Sequence, residues 1–183
     1  VPADGTGYTG TTASTNWKAL ADKIQQPSED DANNDGYHDG DVVAINAIIE
    51  NNGLSATKDG PVTWDFATWS STSPKRITEL DLRNKSLTGT LDVSGLTSLT
   101  RLNFNKNQLT ALNVSDLTNL GTLDCSSNQL TELDVSSLTS LTHLVCNNNQ
   151  LTALDVSGLT SLIRLECIVN KLTTLNVSDL TSL

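Results

Sequence analysis

Two groups of residues have the types and spacing that could do chemistry. The first is the run DANNDGYHDGD, residues 31–41. Asp31, Asn33, Asp35 and Asp39 put side-chain oxygens at its positions 1, 3, 5 and 9. Gly36 stands at position 6, where a tight turn is needed, and Tyr37 offers its carbonyl from position 7. Alternating oxygen donors around a glycine turn suit Ca2+. Asp41 adds a carboxylate at position 11, while position 12, where a bidentate acid would close the site, is Val42. Without a cation, the five acids between Asp30 and Asp41 repel one another. The other reading is a solvated acidic loop whose last member, Asp41, caps the helix that follows. The second group is Cys125, Cys146 and Cys167, spaced by 21 residues. An odd number does not make a disulfide framework. A straight column of sulfurs also lacks the tetrahedral geometry of a zinc site. The two histidines, His38 and His143, are far apart in the chain, and neither accompanies a recognisable nucleophile. These residues do not assemble a catalytic set, so the expectation is a protein that is not an enzyme.

The cysteine spacing belongs to a larger period. Ile77, Leu99, Leu120, Leu141 and Leu162 start five units at intervals of 22, 21, 21 and 21 residues, and Leu183 would start a sixth. One unit reads Leu99, Leu102, Phe104, Asn107, Leu109, Leu112, Val114 and Leu117. The next reads Leu120, Leu123, Cys125, Asn128, Leu130, Leu133, Val135 and Leu138. This is the leucine-rich-repeat pattern L-x-x-L-x-L-x-x-N-x-L. Residues two apart, such as Leu102 and Phe104, share one face of a short strand. A single unit cannot bury that face, so the units must stack. Stacking inserts roughly seven apolar side chains per repeat, at about 1.5–3 kcal/mol each before the cost of ordering them. The fold class expected is α/β: a right-handed leucine-rich-repeat solenoid. Its parallel strands would line the concave face, opposite an irregular or 3-10 convex side, behind a small helical N-terminal cap.

The repeat assigns roles to its own positions. Asn107, Asn128, Asn149 and Asn170 occupy the turn after each strand, where an inward amide can serve backbone groups that no ladder reaches. The cysteines fill the slot of Leu82 and Phe104 and should be small buried hydrophobes. The segment L-D/N-V-S-x-L-T-S/N barely changes from unit to unit and reads as scaffold. The outward strand positions change freely. They form three columns: Glu79, Arg101, Thr122, His143, Arg164; Asp81, Asn103, Asp124, Val145, Glu166; and Arg83, Asn105, Ser126, Asn147, Ile168. A constant back with a varied front suits a binding scaffold, because solenoids use their concave surface. Drift on an unused solvent face is the alternative. The candidate partner-binding set is Glu79, Asp81, Arg83, Arg101, Asn103, Asn105, Asp124, His143, Val145, Arg164, Glu166 and Ile168. Arg83, Lys85, Arg101 and Lys106 gather near its N-terminal end, where an acidic patch on a partner could dock.

Three units are expected. Residues 1–15 are rich in Gly, Thr and Ser and read as a flexible arm. Residues 16–76 form the cap with the acidic loop. Within it, Trp17, Leu20, Ala21 and Ile24 share one helical face over residues 16–26. Val42, Ile45, Ile48 and Ile49 share another over 41–52, ended by Gly53. Trp64, Phe66 and Trp69 most simply cover the open apolar end of the stack, with carbohydrate stacking as the other use. Residues 77–183 are the repeats, five complete and a sixth begun. Because Leu165, Cys167, Leu172 and Leu175 would otherwise face water, further repeats or end-to-end self-association are expected beyond them.

The net charge is −10, with −7 in residues 1–75 (eleven acids against four lysines) and −3 in residues 76–183 (ten against seven). That balance excludes a nucleic-acid partner, which needs a basic footprint. No run of 18 apolar residues is present, so membrane insertion is not expected.

The 21-residue units with cysteine in the strand core resemble the internalins of the internalin J type, bacterial surface adhesins with a cysteine ladder. The phrases LTALNVSDLTNL, LTELDVSSLTSL and LTALDVSGLTSL are similar to surface repeats of other Gram-positive and gut bacteria. The resemblance covers Ile77–Leu183. It implies an extracellular or cell-surface protein with a role in adhesion or recognition, its partner a protein or glycan on a host or neighbouring cell. The acidic run resembles the loops of EF-hands and of dockerins. It departs from them in having one loop rather than two, Val42 at the last ligand position and His38 at the aliphatic one. Internalins carry a helical cap resembling a reduced EF-hand, which implies a cap of this shape with or without metal.

Overall fold

The computed structural model describes residues 30–180, so the expected flexible arm and the helix over residues 16–26 lie outside the described residues. Helix α1 (Asp39–Asn52) opens the described chain. It is followed by a 3-10 turn (Pro61–Thr63) and ten short strands. Strands β1 (Ala67–Trp69), β2 (Ile77–Asp81), β4 (Arg101–Asn103), β6 (Thr122–Asp124), β7 (His143–Val145) and β9 (Arg164–Glu166) form the front sheet in that order. β1 is antiparallel to β2, and every later pair is parallel and in register. Leu80, Leu102, Leu123, Leu144 and Leu165 therefore face one another in sequence across the sheet. The repeat period is a solenoid turn, as the spacing predicts.

The back carries more ladder than an irregular or 3-10 convex side would. β3 (Thr88–Asp92) pairs with β5 (Gln108–Asn113), and β8 (Ala153–Asp155) pairs with β10 (Thr174–Asn176), both parallel. Among the described residues the one 3-10 turn lies in the cap. The constant wording of the back also has a local cause. Ser94, Ser115, Ser136, Ser157 and Ser178 each donate their hydroxyl and their amide N–H to the Asp or Asn two residues earlier. Each such pair closes a tight turn without help from a neighbour.

One apolar cluster runs through the whole stack, from Val42 in the helix to Leu162 in the fifth repeat. Cys125 and Cys146 are fully buried in it, and all three thiols are free. Burial pushes their thiols up, Cys146 to about 12, so they remain protonated and are not poised as nucleophiles.

The asparagine column holds successive turns together. The Asn128 amide nitrogen donates to the carbonyls of Cys125 and Ser126 in its own turn, at 3.1 and 3.2 Å. It also reaches Phe104 of the preceding repeat at 3.1 Å, while its oxygen accepts from Leu109 N–H at 3.0 Å. Asn107, Asn149 and Asn170 repeat the pattern one unit apart.

The cap meets the stack through one buried carboxylate. Asp41 does not cap α1. The helix starts two residues earlier, and His38 caps it by accepting from Asp41 N–H at 3.2 Å. Asp41 instead turns inward, wholly buried, accepting from Ile77 N–H at 2.7 Å and pairing with Arg76 at 3.0 Å. The predicted apolar face of Val42, Ile45, Ile48 and Ile49 is buried as expected, and Gly53 ends the helix at φ 60°. Trp64 and Phe66 are buried and stacked at 6.3 Å, which removes them from any carbohydrate-stacking role.

Asn128→Ala leaves several buried backbone groups without partners, each costing about 1–3 kcal/mol. Urea unfolding is expected to show a loss of at least about 3 kcal/mol. Asn119→Ala, which removes one exposed bond to Thr97, should cost less than about 1 kcal/mol. Equal losses in the two variants would refute the ladder's role.

Candidate functional site

The register of the front sheet converts the three variable columns into a surface. Glu79, Arg101, Thr122, His143 and Arg164 line up across it, and Asp81, Asn103, Asp124, Val145 and Glu166 beside them. Nine of the twelve predicted partner-binding residues border one shallow groove of ≈400 Å3: Glu79, Asp81, Arg83, Arg101, Asn103, Asp124, His143, Val145 and Arg164. Asn105, Glu166 and Ile168 do not line it.

Many of the front charges are tied to neighbours on the same face. Arg83 pairs with Asp81 at 2.5 Å, and Arg164 holds Glu166 through its Nε at 2.7 Å. Asn147 donates to Glu166 at 2.8 Å, and Asn105 to Asp124 at 3.2 Å. The Arg164 guanidinium and then the Asn147 amide hold the Glu166 carboxyl below its usual range. The basic gathering expected at the N-terminal end is correspondingly weakened, since Arg83 is engaged by Asp81 and Lys85 lies over the Phe66 ring at 5.9 Å. Arg101 stays exposed on the front. His143 meets the Thr142 hydroxyl at 2.9 Å, with no carboxylate partner among the described residues.

The acidic loop is held by its own side chains. Asp31 accepts from Asp35 N–H and Gly36 N–H, each at 3.0 Å. Asn33 accepts from Asp35 N–H at 3.0 Å, Asp35 from Tyr37 N–H at 2.8 Å, and Asp39 from Ala32 N–H at 2.8 Å. Asp41, the nearest residue to a closing bidentate ligand, is taken away by Arg76 and Ile77. Among the described residues, no three His, Cys, Asp or Glu side chains are gathered closely enough to hold a metal ion. The loop's oxygens suit a hard cation by type.

Two features escaped the sequence reading. One is the Asp41–Arg76 clasp, whose partners are 35 residues apart. The other is backbone strain in the fifth repeat. The residue after each strand turn is left-handed, with φ 54° at Asn84, Lys106, Ser127 and Asn148. The fifth repeat puts Val169 there at φ 55°, 66% exposed, beside Ile168 at 69%. A β-branched residue in this region is strained, and its column in the repeat would have revealed it.

The parallel front sheet, the asparagine column and the stacked core define a leucine-rich-repeat solenoid of about five turns. The leucine-rich-repeat family, in its two-copy form, matches residues 118–161. No curated protein matches the chain. The chain is similar in structure to the functional domain of InlJ from Listeria monocytogenes, which includes a cysteine ladder. Identity is 41% and the TM-score 0.56, over 62% of this chain and 27% of that one. The chain thus spans about a quarter of that domain. Two plant structures share the fold at 22% identity. They are the ectodomain of the receptor kinase SOBIR1 from Arabidopsis thaliana (TM-score 0.60, 78% of this chain and 94% of that one) and the BIR2 ectodomain from the same plant (TM-score 0.52, 73% and 81%). No helix among the described residues is long and apolar enough to cross a membrane.

Val169→Asn should relieve the left-handed strain and stabilise the chain by about 1 kcal/mol. Thermal melting reads this as a higher midpoint. An unchanged or lower midpoint would show that Val169 is unstrained.

Proposed function

We propose that this chain is a non-enzymatic recognition module of a secreted or cell-surface bacterial protein, and that it binds a protein partner through the front sheet. The observation that carries the reading is the division of each turn. Buried leucines, asparagines and back turns recur nearly unchanged, while the residues aligned across the front groove change from each repeat to the next. The likeness to InlJ supports an extracellular setting and a role in adhesion. The self-paired front charges suit a protein surface of mixed sign, because each pair can exchange partners without stranding a bare charge.

The test is capture from an array of host and bacterial surface proteins and glycans, followed by affinity measurement on whatever binds. Reversing both arginines (Arg83→Glu with Arg101→Glu) should weaken a protein ligand at least about tenfold, which is about 1.4 kcal/mol. Asp116→Lys on the back should leave it unchanged. A ligand indifferent to the front pair overturns the site. A glycan-only signal replaces the protein partner with a carbohydrate, and a blank array favours a structural spacer.

The acidic loop is proposed as a weak Ca2+ site using Asp31, Asn33, Asp35 and Asp39 with the Tyr37 carbonyl. Its carboxylates would have to draw together, and the bidentate ligand is missing, which points to the roughly 10⁻⁴–10⁻³ M class. Calorimetric titration with CaCl2 should show binding that Asp35→Ala abolishes. No heat in the millimolar range would leave the loop as a hydrogen-bonded cap alone.

A further inference from the structure

A second recess, with a volume of ≈740 Å3, lies across the back of repeats two to four. It arises from a break in the back ladder. β5 pairs only with β3 and β8 only with β10, and the intervening segment Glu132–Asp134 joins neither. Among the described residues, no backbone hydrogen bond links Thr131–Asp134 to the repeat on either side. The backbone of Glu132–Asp134, which borders the recess, is therefore unpaired, and unpaired backbone is a template for an added extended chain.

The side chains around this opening carry one sign. In the column Ala111, Glu132, Ala153, the carboxylate is flanked on both sides by methyl groups, which leave room beside it. Asp134 and Asp155 complete the acidic lining, and no Lys, Arg or His borders the recess. The Ser136 hydroxyl and then its amide hold the Asp134 carboxyl below its usual range, and the Ser157 amide and then its hydroxyl do the same for Asp155. Each of these acids engages its serine through Oδ1, which leaves Oδ2 of Asp134 for another donor, while Asp155 also has the Asn176 amide beside it. The floor is apolar, formed by Leu112 and Leu133.

We propose that this recess docks an extended cationic peptide segment, its backbone meeting that unpaired stretch and its Lys or Arg side chains meeting Glu132, Asp134 and Asp155. Charge selects this occupant. A second copy of a chain with net charge −10 is repelled, as are nucleic acids and acidic peptides. An apolar peptide would leave three carboxylates facing it unpaired. The site shares no lining residue with the front groove, so the molecule offers two separate binding surfaces.

Fluorescence anisotropy with labelled hexalysine at low salt tests this on the full chain, with hexaserine as the uncharged comparison. Hexalysine should bind and hexaserine should not. Glu132→Gln should weaken hexalysine roughly fivefold, and Ala153→Arg, which fills the recess and reverses its sign, at least about tenfold. Both positions are exposed, so circular dichroism should show the fold unchanged. Asp116→Asn, which removes an exposed acid bordering neither recess, should have no effect, and because the probe is read through Glu132 and Ala153, failure of the front reading does not touch this one. The proposal is overturned by no hexalysine binding, by equal hexaserine binding, by indifference to Ala153→Arg, or by an equal loss in Asp116→Asn.

Discussion

The structure depends on the side-chain amide of one asparagine per turn. Apolar stacking alone does not set how far each coil must travel, because the hydrophobic effect has no direction. The front strands are mostly three residues long and ladder only part of each turn. Where the chain leaves a strand and bends, its carbonyls and N–H groups are buried with no strand beside them. The amides of Asn107, Asn128, Asn149 and Asn170 meet these groups, within their own turn and in the turn before. A buried amide with two donors and an acceptor can do this at one depth and one rotation only. That condition keeps the repeat at 21 residues and aligns the columns on both surfaces.

The first turn has no turn before it, and the cap takes over that task. Its aromatic residues lie over the open end, with Trp64 stacked on Phe66 and near Trp69, and Tyr37 edge-on to Trp69. Asp41 supplies the polar part of the same junction by accepting the Ile77 amide that starts β2 and pairing with Arg76. A buried carboxylate held by a guanidinium and a backbone N–H costs little only while all three stay in place. The clasp therefore favours one seating of helix on solenoid over others, and it takes Asp41 out of the acidic loop.

Function on such a scaffold is a matter of which residues the fold leaves free. The interior is occupied by leucine, cysteine and asparagine, and the turns of the back by aspartate–serine pairs. What remains is the front groove, with mixed and largely self-paired charge, and the back recess, with uniform negative charge. The first arises from strands in register and the second from strands that fail to pair. Both are shallow openings between repeats rather than enclosed cavities, as expected of a protein that recognises surfaces or segments of chain.

The period, the solenoid, the burial of Cys125 and Cys146, the asparagine column and the front-facing columns were all legible in the sequence. Each follows from residue type at a fixed spacing, and a repeat carries its contacts at that spacing. The apolar face of the cap helix was legible for the same reason. Asp41 was assigned to the helix cap because chain-local rules see only neighbours. Its partners Arg76 and Ile77 are 35 and 36 residues away and come close only when the cap docks. The pairing of Arg83 with Asp81 and the reach of Asn147 to Glu166 depended on rotamers chosen in the folded sheet. The gap in the back ladder was not legible. Thr131–Asp134 keeps the repeat's threonine, leucine and acid and departs from its neighbours chiefly at Glu132, where they carry Ala111 and Ala153, and only the stacking of the turns decided that its backbone would stand apart. The sequence by itself thus determined what repeats and what is buried. The tertiary structure decided which polar groups meet across turns and which are left open to a partner, because those contacts join residues that the period alone does not bring together.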